Sequence, residues 1–157
     1  MATHKTYSIS DLRDRPEFAG DVADRIWNAW WRKDGHELAF IRGLVDENSA
    51  STGLPMAFVA HDGDTFLGTA HLIDSDLESR PQYSPWVAAL WVDEAARKSG
   101  LGTALARAGA EAAFKQGFET VYLCAKPRLT AYYEGMGWQK IEEDVEGTNV
   151  FSMRRSA

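Results

Sequence analysis

The chain has a single cysteine, Cys124, so no disulfide can form within it and a four-cysteine zinc site is excluded. It has no apolar run approaching the roughly 20 residues that a membrane-spanning helix requires. Met1 to Asp14 carries charges throughout and lacks the apolar stretch of a signal peptide. Basic residues are in deficit. There are 17 Lys and Arg against 23 Asp and Glu, and the net charge of −6 leaves no electrostatic footprint for DNA or RNA. Repeats, low-complexity tracts and linkers are missing too. These shortages predict a cytoplasmic protein with no metal centre, no membrane association and no nucleic-acid partner. A small anionic ligand remains compatible, since a few local cations and backbone amides suffice to hold one.

What is present is enough for one core. The 157 residues make one domain, 1–157, with the hydrophobic content of 45% that ordinary globular chains carry. Lys5 to Ser10 alternates and predicts a strand. Pro16 to Trp31 predicts a helix, with Val22, Ile26, Ala29 and Trp30 on its apolar stripe. Glu37 to Asp46 predicts a second helix, with Leu38, Ile41 and Val45 on one face, and Asn48 to Pro55 reads as loop. Met56 to His61 and Thr65 to Ile73 form a hairpin around Asp62-Gly63. Asp74 to Pro85 is a polar loop. Trp86 to Val92 carries no charge and predicts a strand buried on both faces.

Gly100 to Gln116 then predicts a helix with Leu101, Ala104, Leu105, Ala108 and Ala112 along one side. Val121 to Ala125 is a strand, Arg128 to Met136 a short helix, and Trp138 to Glu143 with Asn149 to Arg154 a final hairpin. The order β-α-α-β-β-β-α-β-α-β-β is a mixed α/β (α+β) layout, mostly antiparallel, with one βαβ crossover.

The chemistry concentrates where the uncharged strand meets the following helix. Arg97-x-x-Gly100-x-Gly102 lies at that junction. Glycines admit close backbone approach. The first amides of a helix lack internal partners, and the helix dipole adds positive potential there. Such a junction suits a pyrophosphate. It is not a P-loop, because no Lys-Ser/Thr follows the glycines, and it is not a dinucleotide fingerprint, because Leu105 stands where a third glycine is needed. On its own the segment is also compatible with a plain turn bearing two solvated cations.

The segment resembles the acetyl-CoA motif of the GNAT superfamily of N-acetyltransferases. Ala131-Tyr132-Tyr133-Glu134-Gly135-Met136-Gly137-Trp138 is similar to that family's second motif, in the right order downstream. The resemblance covers nearly the whole chain and implies a GNAT-type sheet flanked by helices. It implies that Arg97, Lys98, Ser99, Gly100, Leu101, Gly102 and Thr103 hold the pyrophosphate of acetyl-CoA, the acyl-donor cosubstrate. Leu90, Trp91 and Val92 would pair with pantetheine as an open strand edge. Tyr133 would donate a proton to the departing thiolate, with Tyr132 in a packing position. Where many members carry an asparagine, seven residues before the tyrosine, this chain has Lys126, which is within reach of the phosphates.

The acceptor side is read more coarsely. Many members place a carboxylate on the central strand, and Trp86 to Val92 has none. His71, Asp74, Asp76 and Glu78 are then candidates for the base or for substrate contact, with Trp27 and Trp31 as walls. Each has a plainer reading: a structural histidine, solvated acids, packed tryptophans. The same holds for Glu142, Glu143, Asp144 and Glu146. Cys124 reads as a small buried apolar residue. The resemblance implies direct transfer of an acetyl group to a primary amine. An acyl-CoA-binding regulatory module is the alternative, and a homodimer stays open.

Overall fold

The computed structural model describes residues 7–50 and 53–156. Lys5 and Thr6, in the first expected strand, lie outside the described residues, and β1 is Ser8–Asp11. Seven strands form one sheet in the order β1-β2-β3-β4-β5-β7-β6: β2 is Met56–Asp62, β3 Thr65–Ile73, β4 Trp86–Val92, β5 Thr120–Ala125, β6 Gln139–Val145 and β7 Thr148–Arg154. All neighbours are antiparallel except β4 and β5, which run parallel. This is the mixed, mostly antiparallel α/β fold the sequence implies.

Two layers cover the sheet. On one face lie α3 (Leu101–Lys115) and α4 (Thr130–Gly135), whose Ala110, Ala113 and Tyr133 pack with Leu72, Val87, Val121, Leu123 and Phe151. On the other lie α1 (Ala19–Ile26) and α2 (Leu38–Ala50), joined to the sheet through Val22, Ile26, Ile41, Val45, Ala57 and Val59. The loop between β3 and β4 covers the rest of that second face, where Leu77 packs with Trp86, Val145 and Val150.

Several helical expectations shift. The first helix is not continuous: α1 is followed by a π-helical turn at Trp27–Trp31 and a 3₁₀ turn that ends at Gly35, with φ +82°. A π turn closes hydrogen bonds one residue later than an α turn, so it rotates every later side chain out of the 3.6-residue phase. Trp30 therefore leaves the core and is 44% exposed, while Trp27 and Trp31 pack against it. α2 runs on through Asn48, and its Leu38 is exposed while Ile41 and Val45 are buried. The buried stripe of α3 is Leu101, Gly102, Leu105, Ala106, Gly109, Ala110 and Ala113 rather than the Ala104–Ala108–Ala112 side. Gly109 sets that rotation, because a Cβ there would lie 3.0 Å from Val87.

Candidate active site

The site begins with an irregularity in β4. Trp91 pairs with Thr69 and Ala88 with His71, so Ala89 and Leu90 together oppose Ala70 alone. This is a β-bulge. Ala89 takes φ +50°, a left-handed conformation that a residue with a Cβ rarely adopts. Because of the extra residue, Ala89 and Trp91 turn toward the α1/α2 layer, and Leu90 and Val92 toward α3. The expectation that β4 is buried on both faces holds only for Trp86 and Val87; Ala88 to Val92 are half-buried. They are open because β4 and β5 pair only at Trp86↔Tyr122, and a wedge opens between the strands beyond that point.

The wedge leads into a cavity of about 410 Å³ lined by Leu90, Trp91, Val92, Ala96, Arg97, Lys98, Gly100, Leu101, Gly102, Thr103, Leu129, Tyr132 and Tyr133. One wall is the N-terminus of α3. Gly100 takes φ +80° and caps the helix with no side-chain bond, and the first intrahelical bond there is Ala104 N–H to Gly100 O. The amides of Leu101, Gly102 and Thr103 are thus left as free donors at the positive end of the dipole. Lys98, at φ +64°, folds the loop so that Arg97 and Lys98 flank these amides. Arg97 also anchors the loop: its Nε donates to Val92 O at 2.9 Å and its guanidinium lies 4.9 Å from the Trp91 ring centroid. Ser99 faces away, its hydroxyl donating to Ala96 O, and is not among the lining residues.

Two close approaches fix this wall. A Cβ on Gly68 would lie 2.7 Å from Trp91 O, so only glycine lets β3 sit this near the end of β4. A Cβ on Gly102 would collide with the Tyr132 hydroxyl. Tyr132 is thus at the cavity mouth and 46% exposed, not in the packing position expected of it. Tyr133, on α4, is the buried one of the pair, set edge-on against Tyr132 at 5.0 Å. Burial, with smaller contributions from Tyr132 and Cys124, pushes the Tyr133 phenol up to about 12. It is a protonated donor throughout the neutral range. Lys126 is exposed and outside the cavity wall, and Leu129 lines that corner instead.

The acceptor-side candidates separate. Trp27 donates through Nε1 to His36 O at 2.6 Å, and Trp31 stands edge-on to His36 at 5.1 Å, so both brace the α1–α2 junction. Trp30 is the tryptophan that reaches the site, with its ring 6.4 Å from Trp91 in a T-shaped contact. Asp93 joins the layers: it accepts from Arg25 Nε at 2.9 Å and from Trp91 Nε1 at 2.8 Å.

His71 is 4% exposed, and among the described residues neither ring nitrogen has a hydrogen-bond partner. Burial lowers its pKa to about 4, although the nearby Ala89 carbonyl, short of a hydrogen bond, works the other way. It stands under the bulge as a neutral imidazole, with both nitrogens closed to an entering amine.

Most of the acidic side chains in the two runs are spent on structure. Glu142 accepts from Arg80 Nε at 2.9 Å and Tyr83 Oη at 2.6 Å, and Glu146 from Ser79. Asp74 accepts from Ser84, and Glu143 pairs with Lys140. Glu78 is exposed. Asp76 is different: its Oδ2 accepts from the Cys124 thiol at 3.2 Å. Cys124 is therefore half-buried and hydrogen-bonded rather than a buried apolar filler, and its thiol is pushed up to about 12 by burial and by Asp76. Among the described residues no group of three or more His, Cys, Asp and Glu side chains is placed to hold a metal ion, and no helix is long and apolar enough to cross a membrane.

The free amides, flanking cations and open strand edge fit a pyrophosphate joined to an amide-bearing arm. Comparisons with known proteins give the family and the fold. The family model described as "Acetyltransferase (GNAT) family" matches residues 4–138. Curated proteins give no match. Among solved structures, the chain is similar to an aminoglycoside 6′-N-acetyltransferase complexed with coenzyme A (TM-score 0.74, 16% identity, 96% of this chain and 99% of that one). It is also similar to the PaiA N-acetyltransferase of Thermoplasma acidophilum in complex with coenzyme A (TM-score 0.64, 15%, 96% and 100%). An acyl-CoA N-acyltransferase from Pseudomonas aeruginosa gives a TM-score of 0.65 at 20% identity, with 94% and 97% covered.

Proposed function

Since the chain belongs to the GNAT acetyltransferase family and is thus an acyltransferase, we propose that it moves an acetyl group from acetyl-CoA to a primary amine of a small molecule or peptide. The observation that carries this reading is the continuity of three features around one cavity. The uncapped α3 N-terminus with Lys98 and Arg97 suits the pyrophosphate. The bulged edge Leu90–Val92 offers backbone to pantetheine. The buried Tyr133 phenol lines the same cavity as a protonated donor suited to a departing sulfur.

In this mechanism the acyl group enters the wedge between β4 and β5, and a backbone amide of the bulge polarises its carbonyl. The amine attacks directly while both substrates are bound, so no acyl-enzyme forms. Cys124 is unsuited to be a covalent nucleophile, because its thiol stays protonated and is already donated to Asp76. The edge-on Trp30–Trp91 pair and the loop that carries Asp76 bound the side from which the amine approaches.

The test is thiol release from acetyl-CoA against a panel of primary amines, with mass detection of the acetylated product, for wild type and Tyr133→Phe. Wild type is expected to release thiol only with an amine present. Tyr133→Phe is expected to lose about 10–10²-fold in kcat with unchanged acetyl-CoA affinity, the low end for general acids because a thiolate leaves readily. Binding of acetyl-CoA without release for any amine would favour a non-catalytic acyl-CoA-binding module. Equal kcat for the two proteins would remove Tyr133 from the chemistry.

A further inference from the structure

The sheet register places Cys124, whose thiol donates to Asp76, across the wedge from Ala88 and on the face opposite Tyr133; neither Cys124 nor Asp76 is among the residues lining the cavity of about 410 Å³. On the α1/α2 side, Ala57, His71 and Ala88 are abreast on β2, β3 and β4. β4 and β5 are parallel and in step at Trp86↔Tyr122. Two residues further along both strands, Ala88 faces Cys124 across the opening, and Cys124 is in turn abreast of Val150 on β7. Residues abreast on neighbouring strands share a face. The row is therefore His71, then small Ala88, then the gap, then Cys124 with the Asp76 carboxylate laid over it.

The floor of this row is alanine. One flank is a buried imidazole with two unpartnered nitrogens, and the other is a carboxylate whose hydrogen bond comes from a neutral thiol. Tyr133 lines the cavity on the α3/α4 side, close enough to Cys124 for the thiol to bias its phenol.

We propose that Asp76, seated on Cys124 at the rim of the β4–β5 wedge, takes the proton that the acceptor amine gives up during acyl transfer, with Cys124 as its positioning residue. This rests on the transfer reading above. Several neighbouring carboxylates are committed: Glu142 to Arg80 and Tyr83, Glu146 to Ser79, Asp74 to Ser84, and Asp93 to Arg25 and Trp91. Glu78 is exposed and, unlike Asp76, has no hydrogen bond to β5 among the described residues. No cation pairs with Asp76 among the described residues.

The step balances. The amine lone pair forms a C–N bond to the thioester carbonyl carbon. The C–S bond breaks with its electron pair on sulfur, which takes the Tyr133 proton. The surplus proton on nitrogen, made strongly acidic once the C–N bond forms, passes to Asp76. Solvent then carries one proton from Asp76 back to Tyr133, leaving an amide and a free thiol. Attack and departure thus use opposite faces of one opening, which keeps the two proton transfers apart.

The groups that set Asp76's titration come from three elements. Cys124 stands beneath it on β5, Thr148 beside Cys124 on β7, and Glu146 on the β6–β7 turn; Asp74 and Glu78 share its loop. Crowding of the carboxyl raises its pKa, the Cys124 hydrogen bond lowers it, and the Glu146 charge raises it again.

The experiment compares wild type, Asp76→Asn, Cys124→Ala and Cys124→Ser in amine-dependent thiol release over a pH series, with acetyl-CoA affinity and melting temperature recorded for each. Asp76→Asn is expected to lose about 10²-fold in kcat/KM for the amine, to keep its acetyl-CoA affinity, and to lose the acid limb of the profile. Cys124→Ala removes the bond that holds the Asp76 pKa down, so the acid limb should move to higher pH; Cys124→Ser keeps a donor and should restore it. Asp76→Asn with the wild-type kcat/KM and acid limb overturns the assignment and leaves the transfer reading intact. A wild type that releases thiol with no amine at all overturns the transfer reading and this proposal with it.

Discussion

His71 shows how much a single buried side chain contributes to this site. It sits under the Ala89 bulge as a neutral ring, because burial lowers its pKa from about 6.5 to about 4. The unfolded chain binds a proton on it near pH 6.5, and the folded chain does not until about pH 4. Stability from this residue is therefore complete above that range and is lost as pH falls through it, by roughly 2–4 kcal/mol. His71→Gln cannot titrate. Chemical denaturation at pH 7.5 and pH 4.5 should show wild type losing this much more stability than the variant, and parallel losses would refute the neutral buried ring. A ring that stays uncharged keeps the field under the bulge constant across the neutral range. Tyr133 does the same on the other face, since its phenol titrates near 12.

At the scale of elements, the end of β4 is held from both sides. Asp93 ties it to Arg25 of α1, and Gly68 of β3 brings its backbone against it. Gly68→Ala must push the Trp91 carbonyl from a 2.7 Å contact and crowd Leu105 at 3.0 Å. Overpacking of this kind costs about 1–3 kcal/mol. Because the displaced strand edge is the one facing the cavity, the variant should show both a lower melting temperature and weaker acetyl-CoA binding. A lower melting temperature with intact binding would mean that the edge does not contact the ligand.

β3, β4 and the Arg97–Thr103 junction were legible in the sequence, because alternation, an uncharged run and a glycine-rich helix start are local signals. The tryptophan phase was not, because the π turn at Trp27–Trp31 depends on how α1 meets α2 and leaves no mark in a 3.6-residue pattern. The Asp76–Cys124 contact was beyond reach for another reason. It joins residues far apart in the chain through a loop whose path is fixed by Leu77 in the core and by Arg80 on Glu142. Asp76 could be named as a candidate, but not separated from Asp74 or Glu78 without that path.

At the scale of the molecule, the sheet divides the work. In the proposed function the α3/α4 face carries the donor's anion site and the proton donor, the α1/α2 face carries Trp30, His71 and Asp76, and the wedge between β4 and β5 joins them. The net charge of −6 makes the local cations of the Arg97–Lys98 loop the exception on which an anionic ligand depends. The central claim is that acetyl-CoA lies on the α3 N-terminus and along the β4 edge. Isothermal titration of acetyl-CoA into wild type and Gly102→Asp tests it directly. The substitution adds bulk that displaces Tyr132 and a negative charge beside the free amides. Saturable binding by wild type and a loss of about 10²-fold or more in the variant, roughly the 2.7 kcal/mol that a factor of 100 represents, is the expected result. Equal affinities for the two proteins, with both folded, would contradict the account.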